Sequence, residues 1–235
     1  MTLHNGVPAR GEDPSPDEGG SDATGASEWG AEQAIGRRQR KKLDNQRRIL
    51  ASASALFAER GYSNVTTQEI ADGADVGIGT VFRFARTKAE LLVYVMGDLL
   101  DDGIEAALSA AGAGASPVDA IVEIVAPFAD DRRSHHQNIV AYQREVLFES
   151  GPNATEAAAR IGRVEEAIGE VLLLSTRGRP DLSDDYLRKV AHAVFGTVLI
   201  DLNRVAVGRA EKSELLASVR DSVSFLLDQL LSRRG

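Results

Sequence analysis

Residues 66–92 read TTQEIADGADVGIGTVFRFARTKAELL, and two capping signals within this stretch decide the fold. In Thr66-Thr67-Gln68-Glu69 a hydroxyl residue is followed three positions later by a glutamate. In that pattern the two side chains reciprocally satisfy free N–H groups at a helix start, so a short helix is expected through about Ala74. Thr87-Lys88-Ala89-Glu90 repeats the signal and opens a long helix through about Ala110. Between them Asp75-Val76-Gly77 reads as a turn and Ile78-Gly79-Thr80 as the start of a third helix. Gly77 gives the tight connection its backbone freedom, and Ala71 is small where the two short helices approach.

Upstream, Leu43, Ile49, Leu50, Ala53, Leu56 and Phe57 recur at three- and four-residue steps, which makes an amphipathic helix. It ends at Arg60-Gly61, where glycine takes a left-handed position. Downstream, an Ala/Gly run at 110–115 breaks the pattern, and Ser116-Pro117 supplies an N-cap with proline in the first turn of another helix. Further helices are expected at 134–149, 154–175, 183–207 and 213–232, separated by Gly151-Pro152, Gly178-Arg179-Pro180-Asp181 and Gly208. No strand alternation of useful length occurs. The expected fold is all-α, with about nine helices: a three-helix helix-turn-helix head followed by a larger helical domain.

Charge divides the chain the same way. Residues 1–36 hold one basic and seven acidic residues, lack periodicity and large apolar residues apart from Trp29, and read as a disordered acidic arm. Residues 37–90 hold eleven basic and six acidic residues, a net of +5, and form the head. Residues 91–235 hold fifteen basic and twenty-two acidic residues, a net of −7, and form the body. The total of −8 therefore conceals a basic segment between acidic flanks, the arrangement of a DNA-binding head on an acidic body. The chain has no cysteine, which excludes disulfides, thiolate chemistry and cysteine-bound metal. No segment approaches the roughly eighteen uninterrupted apolar residues of a membrane span. A soluble, cytoplasmic protein is expected.

The succession Phe57-Ala58-Glu59-Arg60-Gly61-Tyr62, Thr66-Thr67-Gln68-Glu69-Ile70-Ala71, Gly77-Ile78-Gly79-Thr80-Val81-Phe82-Arg83-Phe84 and Thr87-Lys88-Ala89-Glu90-Leu91-Leu92 resembles the DNA-binding head of the TetR family of bacterial regulators, over about residues 41–95. The physical reading of the motif agrees: a short helix crosses the DNA backbone while the next enters the major groove. Thr66 and Thr67 offer hydroxyl and backbone N–H groups to a phosphate. Gly79, Thr80, Phe82 and Arg83 fall on or near the exposed face of the recognition helix, with Arg83 suited to a guanine edge and Thr80 and Phe82 to a phosphate or a thymine methyl. Lys88 sits where the resemblance implies a lysine presented to the DNA backbone. Arg37, Arg38, Arg40, Lys41 and Lys42 read as an arm that follows phosphates or enters a minor groove, against the plainer reading of a solvated charge run. Two positions depart from the family pattern. Phe82 replaces the usual tyrosine, and Ala85 stands where a packing phenylalanine is usual, a role that Phe84 takes in a shifted way.

The resemblance implies that the body is a sensor whose middle helices surround a small-molecule cavity and whose last two helices dimerise. Phe128, Tyr142, Leu147 and Phe148 are the candidate apolar walls, and Arg144, with His135 and His136, supplies polar groups. Adjacent histidines on a helix point about 100° apart and are poorly placed to chelate one ion, so no metal is expected. Val190, Val194, Val198, Leu202 and Val205 form one stripe, and Val219, Val223, Leu226, Leu227 and Leu230 another. Paired across a two-fold axis these would make a four-helix bundle, the alternative being that both stripes pack within their own domain. Gly77-Ile78-Gly79 is only a fragment of a nucleotide fingerprint, and no nucleophile elbow or zinc-binding helix occurs, so neither enzymatic activity nor a cofactor is expected. The expectation is a ligand-responsive homodimeric repressor acting on a pseudo-palindromic operator. The alternatives are an activator of the same fold and a helical small-molecule-binding module without DNA binding.

Overall fold

The computed structural model of the chain describes residues 23–148, 152–177 and 179–232, and among these it is all-α. The helices are α1 (Ala23–Arg60), α2 (Thr67–Gly73), α3 (Ile78–Phe84), α4 (Lys88–Gly112), α5 (Pro117–Ala129), α6 (His136–Phe148), α7 (Pro152–Ser175), α8 (Asp184–Ala206) and α9 (Leu215–Ser232). Short 3₁₀ turns at Tyr62–Asn64 and Lys212–Glu214 precede α2 and α9.

Two compact units divide the chain, residues 1–42 and residues 43–235. In the first, the described residues are helical from Ala23, well before the Arg37 boundary expected from composition. The correction has a simple reason: extending an existing helix costs far less than nucleating one, and 23–36 contains Ala, Glu and Gln, which propagate helices well. Residues 1–22 of the expected acidic arm lie outside the described residues. The basic run 37–42 is accordingly helical.

In the second unit the chain starts and stops its helices where the sequence signals stand. The Thr66 hydroxyl accepts from the Glu69 N–H, and the Glu69 carboxylate accepts from the Thr66 N–H at 2.8 Å, which completes a capping box. The second box forms by halves. Thr87 Oγ1 accepts from the Glu90 N–H at 3.0 Å, but Glu90 reaches one residue further back, to the Arg86 N–H at 2.7 Å. Gly61 takes φ +75° after α1, and Ser116 caps α5 with Pro117 in its first turn. The long α4 runs through the middle of the body and buries Leu92, Met96, Leu99 and Leu100 against its neighbours. Where it crosses α5, Gly103 lies so close that an added Cβ would stand 2.4 Å from the Ile124 carbonyl oxygen. Only glycine permits that crossing distance.

Candidate nucleic-acid interface

The head is a small core of Ile49, Ala53 and Phe57 from α1, Ile70 and Ala71 from α2, and Val81 from α3, all inaccessible to solvent. Ala85, which ends α3, is buried with them, while Phe84 packs against Tyr94 of α4 at 5.3 Å between ring centroids. The aromatic contact that seats the recognition helix is thus supplied one position earlier than the family pattern has it. With Val81 turned inward, α3 presents its neighbours outward. Phe82 is 50% exposed, a large apolar ring held in water on a short helix. Arg83 is exposed beside it and donates to Thr80 Oγ1 at 3.1 Å, so the guanidinium is braced one turn from its own backbone. Nothing lies within 4 Å of where a Cβ would sit on Gly79, which leaves that stretch of helix open to close approach.

The turn between α2 and α3 is built differently from the sequence expectation. Its left-handed residue is Asp75, at φ +49°, and Gly77 is an extended N-cap instead. Aspartate tolerates this region better than most residues, but glycine would occupy it with less strain. Arg48 of α1 holds it there, donating to the Asp75 carbonyl at 2.9 Å and to its carboxylate at 2.8 Å. Asp75 sits within residues 66–88 but Arg48 lies 27 positions upstream, and no local signal paired the two.

Lys88 also has another part than the one expected. Its ammonium donates to the Tyr62 and Val65 carbonyls at 2.8 Å each and lies 4.3 Å from the Tyr62 ring centroid. Partial burial pulls it below the usual lysine range, with Glu69 opposing the shift. Two of its three donors are therefore engaged inside the head, where they pin the start of α4 to the link between α1 and α2. Thr66 is exposed and Thr67 half-buried at the start of α2, while Arg38, Arg40, Lys41 and Lys42 are exposed on α1 in the first unit. The Arg37 side chain lies outside those described. Glu69 is pulled down to about 2, first by its hydrogen bond from Arg60 at 2.7 Å and then by those from Thr66.

Head and body meet at one buried amide. Asn138, in the first turn of α6, is 1% exposed. Its Nδ2 donates to the Phe57 carbonyl at 2.9 Å, at the end of α1, and its Oδ1 accepts from the Tyr62 N–H at 2.8 Å. The preceding loop is tied on its other side, where Lys212 donates to the Asp131 carboxylate and to the Ser134 carbonyl. His135 and His136 stack at 4.4 Å, and the Gln137 N–H donates to His135 Nδ1. A polar residue in the first turn of an amphipathic helix looks solvent-facing in sequence, so Asn138 carried no signal of this role.

One turn further along, α6 forms a wall of an apolar cavity of about 60 Å³, with Ile139 and Tyr142 facing Met96 of α4, Phe128 of α5 and Phe195 of α8. Two expected ligand residues, Phe128 and Tyr142, line it. Arg144 does not; it points outward, 61% exposed, 3.7 Å from the Glu145 carboxylate. The side chains of Leu147 and Phe148 lie outside those described.

The residues of the expected dimer stripes lie mostly inside their own chain. Val190, Val194, Val198, Val205, Val219, Val223 and Leu227 are buried in their own chain, and Leu202 and Leu230 pack against that core, with Leu226 half-buried. These two stripes are where α8 and α9 meet each other and the body, because the most regular apolar spacing follows the largest contact. The apolar groups that α8 and α9 leave in water are Ile200 at 60% and Phe225 at 70% exposure, with Val207 just past α8. Nothing approaches Gly196 on α8.

Comparison with known proteins agrees with this geometry. The family model described as bacterial regulatory proteins, tetR family, matches residues 49–95. The chain is 26% identical over 179 residues to the transcriptional repressor KstR of Mycobacterium tuberculosis, covering 75% of this chain and 80% of that protein. It is 27% identical over 168 residues to the transcriptional regulator TcmR of Streptomyces glaucescens, covering 69% and 73%. Among solved structures, the TetR-family repressor FadR of Thermus thermophilus, in complex with lauroyl-CoA, shares the fold at a TM-score of 0.59 and 23% identity, over 81% of this chain and 97% of that one.

Proposed function

We propose that this chain, whose residues 49–95 match the model of the bacterial regulatory proteins, tetR family, is a regulator of that family: a homodimeric, ligand-responsive transcriptional repressor, acting in the cytoplasm and without enzymatic activity. The observation that carries the reading is α3: a helix seated by Val81 and Phe84 that turns Phe82 and a Thr80-braced Arg83 to solvent. Arg83 reads a guanine edge, Phe82 meets a thymine methyl, and the exposed N-terminus of α2 at Thr66 and Thr67 takes a phosphate. The exposed cations Arg38, Arg40, Lys41 and Lys42, with Arg37, add sequence-independent phosphate contacts. Repression is favoured over activation by the KstR relative, which is named a repressor.

Operator half-sites one helical turn apart demand two heads. The second copy docks on the face that α8 and α9 leave uncovered, with Ile200 and Phe225 against the open surface at Gly196. In the body, a cavity that admits even benzene measures on the order of 150 Å³, so an effector of ordinary size enters the 60 Å³ space only by moving a wall. The α6 wall holds Asn138, and Asn138 holds both the end of α1 and the first residue after Gly61. Displacing α6 therefore reorients the head, and a coupling of about 1–3 kcal/mol suffices to change operator occupancy.

The test is binding of the purified protein to DNA from upstream of its own gene, by fluorescence anisotropy at two salt concentrations. Affinity that falls steeply with salt is expected, and Arg83→Ala costs about 1–3 kcal/mol of it with the melting temperature unchanged. Absence of salt-sensitive binding to that DNA refutes the proposal.

A further inference from the structure

The walls of the body cavity come from five helices, α4 to α8, and among the described residues none of the side chains that line it is charged. Tyr142 and Gln143 alone among them carry a conventional hydrogen-bonding group. The cations nearest in sequence to the lining residues are already committed. Arg160, beside Ile161, faces the Asp98 and Asp101 carboxylates at 3.7 and 3.6 Å, and Arg144, beside Gln143, faces Glu145 at 3.7 Å. Arg163 is bound to Asp101 at 2.5 Å. Burial pushes the Asp98 carboxyl up, against the pull of Arg160.

A carboxylate or phosphate brought into such a space loses its hydration and gains no counter-ion, a transfer that costs several kcal/mol even after relaxation. An uncharged lipophile gains about 25 cal/mol for each Å² it removes from water and leaves no charge behind. Resting on the effector reading above, we propose that this cavity takes an uncharged, largely apolar molecule with at most one or two hydrogen-bonding groups, and that it rejects carboxylate and coenzyme A forms of the same skeleton. The hydroxyl or carbonyl of such a molecule pairs with the Gln143 amide or the Tyr142 phenol, and the remainder is held by dispersion and desolvation.

A matched series separates charge from shape: decanol, decanoate and decanoyl-CoA share one alkyl chain and differ in the head. Each is titrated against the full-length protein, reading both the melting temperature and release of labelled upstream DNA. Decanol is expected to raise the melting temperature and release DNA at concentrations at least tenfold lower than either anion. Leu199→Trp, which fills the cavity from α8 without touching the head, is expected to abolish both effects while DNA binding persists. Equal or stronger action by decanoate or decanoyl-CoA overturns the proposal but leaves the effector reading standing. A decanol effect that survives in Leu199→Trp places the site elsewhere and also overturns it. If no member of the series shifts melting or DNA release although DNA binds, both this proposal and the effector reading fail.

Discussion

Replacing Asn138 by leucine removes the amide that joins the body to the head while nearly preserving its volume. The cost follows from which groups are orphaned. The Phe57 carbonyl keeps a second donor, the Gly61 N–H at 3.1 Å, so it loses one of two bonds, worth about 1 kcal/mol. The Tyr62 N–H has Asn138 Oδ1 as its acceptor, and stranding it costs about 1–3 kcal/mol. Together about 2–4 kcal/mol should be lost. At roughly 2–4 °C per kcal/mol for a chain of this size, the melting temperature falls by about 4–16 °C. Differential scanning calorimetry reads the first consequence, and DNA release by a cavity ligand reads the second, since the head of Asn138→Leu no longer follows α6. Asn138→Asp sharpens the result, because it keeps the acceptor for Tyr62 but turns a carboxylate oxygen on the Phe57 carbonyl. A melting temperature within 1 °C of the parent, or ligand-driven release undiminished in Asn138→Leu, would refute the assigned role.

Three further outcomes are expected. The Glu69 carboxyl is held at about 2 in the fold, chiefly by Arg60, against about 4.3 in an unfolded chain, so its contribution is complete above the unfolded value and is lost as pH falls toward 2; acid unfolding followed by circular dichroism should show a shallower acid limb for Glu69→Gln over that window. Gly103→Ala drives a Cβ into the Ile124 carbonyl at the α4–α5 crossing and should cost at least about 1–3 kcal/mol in urea unfolding, the reverse of the usual glycine-to-alanine gain in a helix. Arg48→Ala frees Asp75 from its left-handed turn without removing a proposed DNA contact. It should weaken operator binding severalfold, and a second change, Asp75→Gly, should restore part of that loss by relieving the strain; no recovery in the double variant counts against the account.

The fold was legible because its boundaries are local. Thr66 with Glu69, Ser116 with Pro117, and Gly61 each act within four residues, and the structure places helix ends beside all of them. The outward face of α3 was legible for the same reason, since Val81 and Phe82 are one residue apart on a short helix. The pairings that were not legible share a cause too. Lys88 spends its donors on Tyr62 and Val65, Asp75 is held by Arg48, and Asn138 reaches Phe57 across 81 positions, and no periodicity encodes such pairings. The valine stripes of α8 and α9 were legible as apolar faces, but periodicity says that a face is covered, not by what. Exposure of Ile200 and Phe225 distinguishes the outer face from the inner one, and a variant such as Phe225→Glu tests it by sedimentation.

On the effector reading proposed above, the tightness of the body cavity makes the protein a gauge of bulk as well as of polarity. Molecules slim enough to occupy the gap without spreading its walls leave α6 where it stands. They are silent occupants, and by mass action they become antagonists of the larger molecules that would spread it. A graded series of alkyl ligands should then pass from competitive silence to full agonism at the length where the walls first give way.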